Sequence, residues 1–284
     1  MLQTLKTYLE MIRFSHTVFA LPFAFMGAVL AAGGIPHRNK ILWILVAMVG
    51  ARSGAMGMNR YADRHLDAQN PRTQDRALPQ GKIAAREVLA LICVSFAVLL
   101  VAAWMLNPLC FALAPVAILI VAGYSYTKRF TNFSHLILGL SLALAPIGAW
   151  IAVTGRVALP PLILGTAVLF WVAGFDILYA LMDIEFDRRA GLFSIPARLG
   201  AQGGLAAAGL CHMLTVLCLA LMVPLLGLGK VYLAGLFLAM ALLLYEHWLL
   251  YRHGLTNLNV AFFSVNGALS IGLFLFTLGD LLLG

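Results

Sequence analysis

The stretch ILWILVAMVGARSGAMGMNRYADRHLD, residues 41–67, decides the class of fold. Residues 41–58 are apolar or small with one charge, Arg52, close to the ~20 residues that an α-helix needs to cross a hydrocarbon core. The run then enters Asn59-Arg60-Tyr61-Ala62-Asp63-Arg64-His65-Leu66-Asp67 without a turn signal. Such a segment reads as a membrane helix whose mouth carries charged groups. At 100° per residue, Asn59, Asp63 and Asp67 fall within about 80° of arc, so they share one face, and Arg52 lies on the same stripe.

Apolar runs of similar length recur on both sides. Nine spans are expected, at 14–33, 41–58, 88–106, 108–125, 134–153, 160–181, 205–228, 230–251 and 260–283. Turn chemistry separates them: Gly33-Gly34-Ile35-Pro36, Asn107-Pro108, Pro160-Pro161 and Gly227 to Gly229. The whole chain agrees. It has 284 residues, of which 62% are hydrophobic and 11% charged, with a mean hydropathy of +0.95. Soluble domains carry about 25% charged residues, so this chain cannot cover a water-facing surface. The bilayer is its expected solvent. No linker or low-complexity tract divides it, and a single domain over 1–284 is expected. Cys93, Cys110, Cys211 and Cys218 sit in apolar runs without metal-ligand spacing and read as small buried hydrophobes.

Basic residues set an expected orientation. Lys6, Arg13, Arg60, Arg64, Arg72, Arg76, Lys82, Arg86, Lys128, Arg129, Arg188, Arg189, Arg198 and Arg252 all fall at one side of the nine spans. Arg38, Lys40, Arg156 and Lys230 fall at the other. The excess side is expected to be cytoplasmic, with the N-terminus inside. The net charge of +8 is then a topology signal, with anionic membrane lipid as a secondary partner.

A second acidic stretch ends the sixth span: Asp176, Tyr179, Asp183 and Asp187 form another helical stripe. Both spans are even-numbered, so both carboxylate rows emerge on the same face. Carboxylates near hydrocarbon are costly and repel one another. Hard divalent cations relieve this, and magnesium takes one or two carboxylates with water and phosphate oxygens. Two such rows can clamp a diphosphate, with Arg13, Arg64, Arg72, Arg76, Lys128 and Arg129 completing the anion site. The competing reading, solvated helix ends paired i,i+4 with arginines, suits one row alone.

These residues resemble the motifs of the UbiA superfamily of intramembrane prenyltransferases. Asn59 to Asp67 is similar to its NxxxDxxxD motif, and Asp183-Ile184-Glu185-Phe186-Asp187, preceded by Tyr179, to its DxxxD motif. Supporting stretches run from Asn70-Pro71-Arg72-Thr73 to Arg76-Ala77-Leu78-Pro79-Gln80-Gly81, from Tyr124 to Thr131, and through Ser194-Ile195-Pro196. Arg60 departs from the pattern, where an acidic residue is common. The resemblance implies an all-α bundle of nine transmembrane helices with a central cavity opening at the cytoplasmic face. It implies two Mg2+ ions, one on Asn59, Asp63 and Asp67 and one on Asp183 and Asp187. Arg13 and Lys128 are the implied diphosphate contacts. Arg72 and Arg76 would bind phosphate or an acceptor carboxylate, and Tyr179 would orient a metal-bound oxygen or steady a cation. The implied reaction transfers a polyprenyl group from its diphosphate to a small aromatic acid, 4-hydroxybenzoate or a dihydroxynaphthoate, in quinone biosynthesis in a bacterial inner membrane; the alternative within the superfamily is another acceptor, haem, chlorophyllide or a glycerolipid. His16, His65 and His135 read as interfacial hydrogen-bonding residues. A phosphotransferase of CDP-alcohols would carry DGxxAR, which the sequence lacks. A carboxylate-coupled transporter would place its acids at mid-membrane.

Overall fold

The structure, a computed structural model, describes residues 17–254 and 264–284. Among them there are helices and no strands. The chain order is α1 (Thr17–Ala32), α2 (Arg38–Gln69), α3 (Ala85–Leu106), α4 (Pro108–Thr127), α5 (Ser134–Thr154) and α6 (Leu159–Ala180). A 3-10 turn (Leu181–Asp183) then leads to α7 (Ile184–Arg189), α8 (Ile195–Leu226), α9 (Lys230–His253) and α10 (Asn266–Leu283). Eight helical stretches are long and apolar enough to cross a membrane, α6 and α7 counting as one. Helix α1, with 16 residues, covers the described part of the expected first span.

The turns form where the sequence places helix breakers. Between α3 and α4, Asn107 accepts from the Cys110 N–H at 2.9 Å, and Pro108 fills the first turn, where no N–H is needed. The Asn107 amide also reaches the Ile151 carbonyl at 2.8 Å and ties this turn to the end of α5. Gly155 (φ 70°) and Gly227 (φ 65°) end α5 and α8 in the left-handed conformation that suits glycine. Asp280 of α10 accepts from the N–H groups of Gly229, Val231 and Tyr232 and caps the start of α9.

Consecutive helices pack side by side, and α10 closes against α1. The largest core cluster joins Phe23, Met26, Trp171, Leu219, Tyr232 and Leu273 from α1, α6, α8, α9 and α10. Trp104, Leu119, Phe237 and Leu244 are exposed on the outside, as expected of helices solvated by lipid. The close helix pairs use small residues. A Cβ at Gly139 on α5 would lie 2.2 Å from the Leu169 carbonyl oxygen of α6.

Three expectations differ from the observed fold. Helix α8 starts at Ile195, ten residues before the expected span, because Ser194 and Pro196 begin a helix that continues past a kink at Gly200 (φ 74°). The second acidic stripe does not ride one helix, since the 3-10 turn at Leu181–Asp183 separates α6 from α7. Of the cysteines, all free, Cys211 is buried, Cys110 and Cys218 are half-buried, and Cys93 is exposed on α3.

Gly139→Val should destabilise the detergent-solubilised protein by about 1–3 kcal/mol through overpacking of α5 on α6. Gly148→Ala, where an added Cβ meets nothing within 4 Å, should keep or raise the thermal midpoint, since alanine favours a helix interior. A thermal denaturation series on the two variants checks this.

Candidate active site

The far end of α2, the end of α6, α7 and the connections α2–α3, α4–α5 and α7–α8 meet at one end of the bundle. They enclose a cavity of about 320 Å³. Asn59, Asp63 and Asp67 of α2 line it, with Arg72 and Arg76 from the following connection, Lys128 after α4, and Tyr179, Asp183 and Asp187 from the α6–α7 side. Of the other expected anion-site residues, Arg13 lies outside the described residues, as does His16, and Arg64 and Arg129 do not line the cavity: Arg64 donates to the Tyr61 carbonyl at 2.7 Å, and Arg129 reaches Asp63 from behind.

Asp63 and Asp67 are buried, with 2% and 6% of their surface exposed. Their charges are met by cations from other elements. Lys128 Nζ is 2.6 Å from Asp63 Oδ2, and Arg129 Nη2 is 3.1 Å from Asp63 Oδ1. Arg76 Nη1 donates to both oxygens of Asp67 at 2.7 Å. Across the cavity, Arg72 donates to Asp183 through Nε at 3.0 Å and Nη2 at 2.5 Å, a bidentate fork. Burial of the Arg72 guanidinium opposes its charge, and the hydrogen bonds and charge of Asp183 more than offset this, so its pKa is raised. Arg72 also lies over the Tyr179 ring, 5.0 Å from its centroid, and donates to the Tyr179 hydroxyl at 3.3 Å. Among the described residues the one i,i+4 ion pair is the exposed Arg189–Glu185 at 3.8 Å. The site carboxylates are therefore paired across the fold and not as independent solvated helix ends.

Local chain chemistry holds this arrangement. Helix α2 stops at Asn70 because Pro71 follows, and the residue before proline is driven out of the α-region. Asn70 is extended (φ −92°, ψ 119°). Its amide donates to Asp183 Oδ1 at 3.2 Å while its Oδ1 accepts from the Arg72 N–H at 2.9 Å. Asn70 thus joins the two carboxylate rows, and only the fold brings it to Asp183. Ser194 has two duties. Its Oγ accepts from the Ala197 N–H at 3.2 Å and caps α8, and it donates to Asp187 Oδ2 at 2.9 Å. The Phe193 N–H binds the Lys128 carbonyl at 2.7 Å, fastening the α7–α8 connection to the α4–α5 connection. Arg60, buried, donates to Asn59 Oδ1 at 3.2 Å, and Asn59 donates to Asp63 Oδ2 at 3.2 Å.

A second chamber of about 310 Å³ adjoins the first and is lined by apolar residues of α2 to α5. Arg52, Met56, Tyr124, Leu138 and Leu142 belong to the walls of both. The apolar chamber runs as far as Ile44, Leu106, Cys110 and Ile151, toward the opposite ends of these helices. A charged chamber over a long apolar one is shaped for a ligand with an anionic head and a hydrocarbon tail.

Residues 20–278 match the UbiA prenyltransferase family. The chain belongs to the UbiA prenyltransferase family. It is 34% identical over 225 residues to the 4-hydroxybenzoate octaprenyltransferase of Aeromonas salmonicida, covering 78% of this chain and 76% of that one. The apo structure of a UbiA homologue from Aeropyrum pernix superposes with a TM-score of 0.86 at 32% identity, over 94% of this chain and 98% of that one. A UbiA homologue from Archaeoglobus fulgidus bound to GPP and Mg2+ shares the fold, with a TM-score of 0.74 at 22% identity over 96% and 99% of the chains. The sequence motifs of this prenyltransferase thus converge in space. Two contributors are not legible in spacing: Asn70, and His135, which is expected at the interface and instead lies buried in the cavity wall.

Ser194→Ala should cost about 1 kcal/mol of helix capping and release Asp187, lowering prenyl transfer as well as the thermal midpoint. Ser194→Thr should retain both, as denaturation and turnover measurements on the pair will read.

Proposed function

We propose that this UbiA family member transfers a polyprenyl group from a polyprenyl diphosphate to the ring of a hydroxylated aromatic acid, 4-hydroxybenzoate or a dihydroxynaphthoate. One observation carries the reading: two carboxylate rows face each other across a cation-rimmed cavity that adjoins an apolar chamber. The relatives named 4-hydroxybenzoate octaprenyltransferase support the acceptor class, and the GPP and Mg2+ of the Archaeoglobus structure support the donor. The bundle is proposed to have nine spans, with this end and the N-terminus on the cytoplasmic side of a bacterial inner membrane. The asymmetry of basic residues supports that orientation.

The carboxylates suit magnesium. Their donors are all oxygen, and Mg2+ needs one or two protein carboxylates when phosphate oxygens complete its shell. Asn59, Asp63 and Asp67 would hold one ion, and Asp183 and Asp187 another. When bound, the metal supplies Lewis-acid stabilisation of charge on the departing diphosphate.

The remaining work falls to the chain. Lys128, Arg72 and Arg76, now on carboxylates, are the cations that a diphosphate would draw toward itself, with Arg13 as a further contact. Their charge stabilises the leaving group as its bond to the prenyl carbon breaks. The Tyr179 ring, which Arg72 now lies over, would offer its π-face to an allylic cation once the guanidinium turns to the diphosphate. The apolar chamber holds the tail and keeps water from the cation. The aromatic ring then attacks the cation and loses a proton.

Asp63→Ala and Asp183→Ala should each abolish turnover while the protein still elutes as a folded species in detergent, and excess chelator should silence the wild type. Normal turnover in either variant would remove the metal assignment. The acceptor is read by supplying radiolabelled geranyl diphosphate and Mg2+ with 4-hydroxybenzoate or 1,4-dihydroxy-6-naphthoate. Label in lipid with one acid names the substrate. No product with either, while diphosphate still binds, would reject an aromatic acid acceptor. Failure to bind diphosphate would reject the enzyme assignment of the cavity.

A further inference from the structure

The proposed reaction needs a base, and the cavity carboxylates are occupied. Asp63, Asp67 and Asp183 hold cations, and Asp187 accepts from Ser194. One nitrogen in the cavity wall is differently placed. His135, the second residue of α5, is 4% exposed. Its Nδ1 lies 2.7 Å from Asp176 Oδ2 on α6, and its Nε2 is buried without a hydrogen-bond partner.

An ionised carboxylate only accepts hydrogen bonds. With Asp176 ionised, Nδ1 carries the hydrogen and Nε2 presents a lone pair. Asp176 thereby fixes both the tautomer and the plane of the ring, as a carboxylate does for a histidine base. A buried nitrogen left unpaired costs free energy, which a hydrogen-bonding ligand would recover.

The position suits the acceptor. Asp176 lies two helical turns before Asp183, toward the membrane interior, and both His135 and Asp176 line the polar cavity. Leu138 and Leu142, three and seven residues after His135 and so near its face of α5, are shared by the polar and apolar chambers. The dyad therefore borders the level where a diphosphate head gives way to a prenyl tail. The ring that attacks the first prenyl carbon has to sit there.

We propose that His135 is the base that takes the hydroxyl proton of the aromatic acceptor, and that Asp176 is its positioning residue. This rests on the acceptor class proposed above. The phenolic O–H bond breaks, its proton goes to Nε2, and its electron pair is pushed into the ring. The ring carbon forms a bond to the first prenyl carbon, a cation since its bond to oxygen broke with the electron pair leaving on diphosphate. The dienone formed moves its ring proton to its oxygen and becomes aromatic again. The proton on His135 leaves with diphosphate or to water, restoring the neutral imidazole.

The test uses the full-length protein in detergent with Mg2+ and geranyl diphosphate. The acceptors are the aromatic acid that the wild type prenylates and its ring-fluorinated analogue, whose hydroxyl ionises more readily. His135→Gln should lower kcat about 100-fold on the plain acid, within the range of general-base contributions. It should lower it less than about 10-fold on the fluorinated one, with geranyl diphosphate binding unchanged. Asp176→Asn should show the same acceptor dependence at smaller size, and the double variant should be no worse than His135→Gln alone. An equal loss on both acceptors, loss of diphosphate binding, or wild-type rates in His135→Gln would overturn the base assignment and leave the proposed function standing. A wild type that prenylates neither aromatic acid would overturn the function and the base together.

Discussion

The site depends on keeping carboxylates ionised at the edge of hydrocarbon. A buried carboxylate without a counter-charge costs several kcal/mol or gives up its charge. Asp63 escapes this because two cations from the end of α4 reach it at once, Lys128 and Arg129. The need propagates outward. The α4–α5 connection has to lie beside α2, and the Phe193 N–H on the Lys128 carbonyl then draws in the α7–α8 connection. Ser194, next in sequence, holds Asp187. Charge neutralisation at Asp63 thus leads to contacts among three stretches far apart in the chain.

The same pairing makes the site responsive to an anion. Under the proposed function, each cation would be shared between a fixed carboxylate and the substrate. A diphosphate would compete for Lys128, Arg72 and Arg76, and the carboxylates they released would need new positive charge. Divalent metal arriving with the diphosphate would meet that need. Metal and substrate are therefore expected to bind cooperatively, because either alone leaves a charge unmatched in a low-dielectric setting.

Much of this was readable in the chain because two signals are local. Hydropathy marks the spans, and Asn59, Asp63 and Asp67 repeat at the helical period on a helix that does continue through them, to Gln69. The second row was read with the right residues and the wrong backbone. Asp176 through Asp187 also fit a helical stripe, yet the chain tightens at Leu181–Asp183, a break that no glycine or proline announces. The early start of α8 was written in Ser194 and Pro196, a capping residue followed by proline in the first turn, but hydropathy weighs apolar content and passes over such ends. Partnerships such as Asn70–Asp183 and His135–Asp176 span 113 and 41 residues, and no spacing rule connects residues on different helices.

A carboxylate in a membrane helix is not by itself a site, and the fold offers a contrast. Glu246 of α9 is 2% exposed. It accepts from the Asn266 amide at 3.0 Å, and Asn266 accepts from Trp171 Nε1 at 2.7 Å. These neutral partners tie α6, α9 and α10 together, and none of the three residues lines either chamber. Among the described residues no cation pairs with Glu246 for a diphosphate to draw away. Asp63, Asp67 and Asp183 differ in both respects: their partners are long, charged side chains, and they border open volume. That combination of exchangeable counter-charge and adjoining space separates a carboxylate that can take part in chemistry from one that fastens helices.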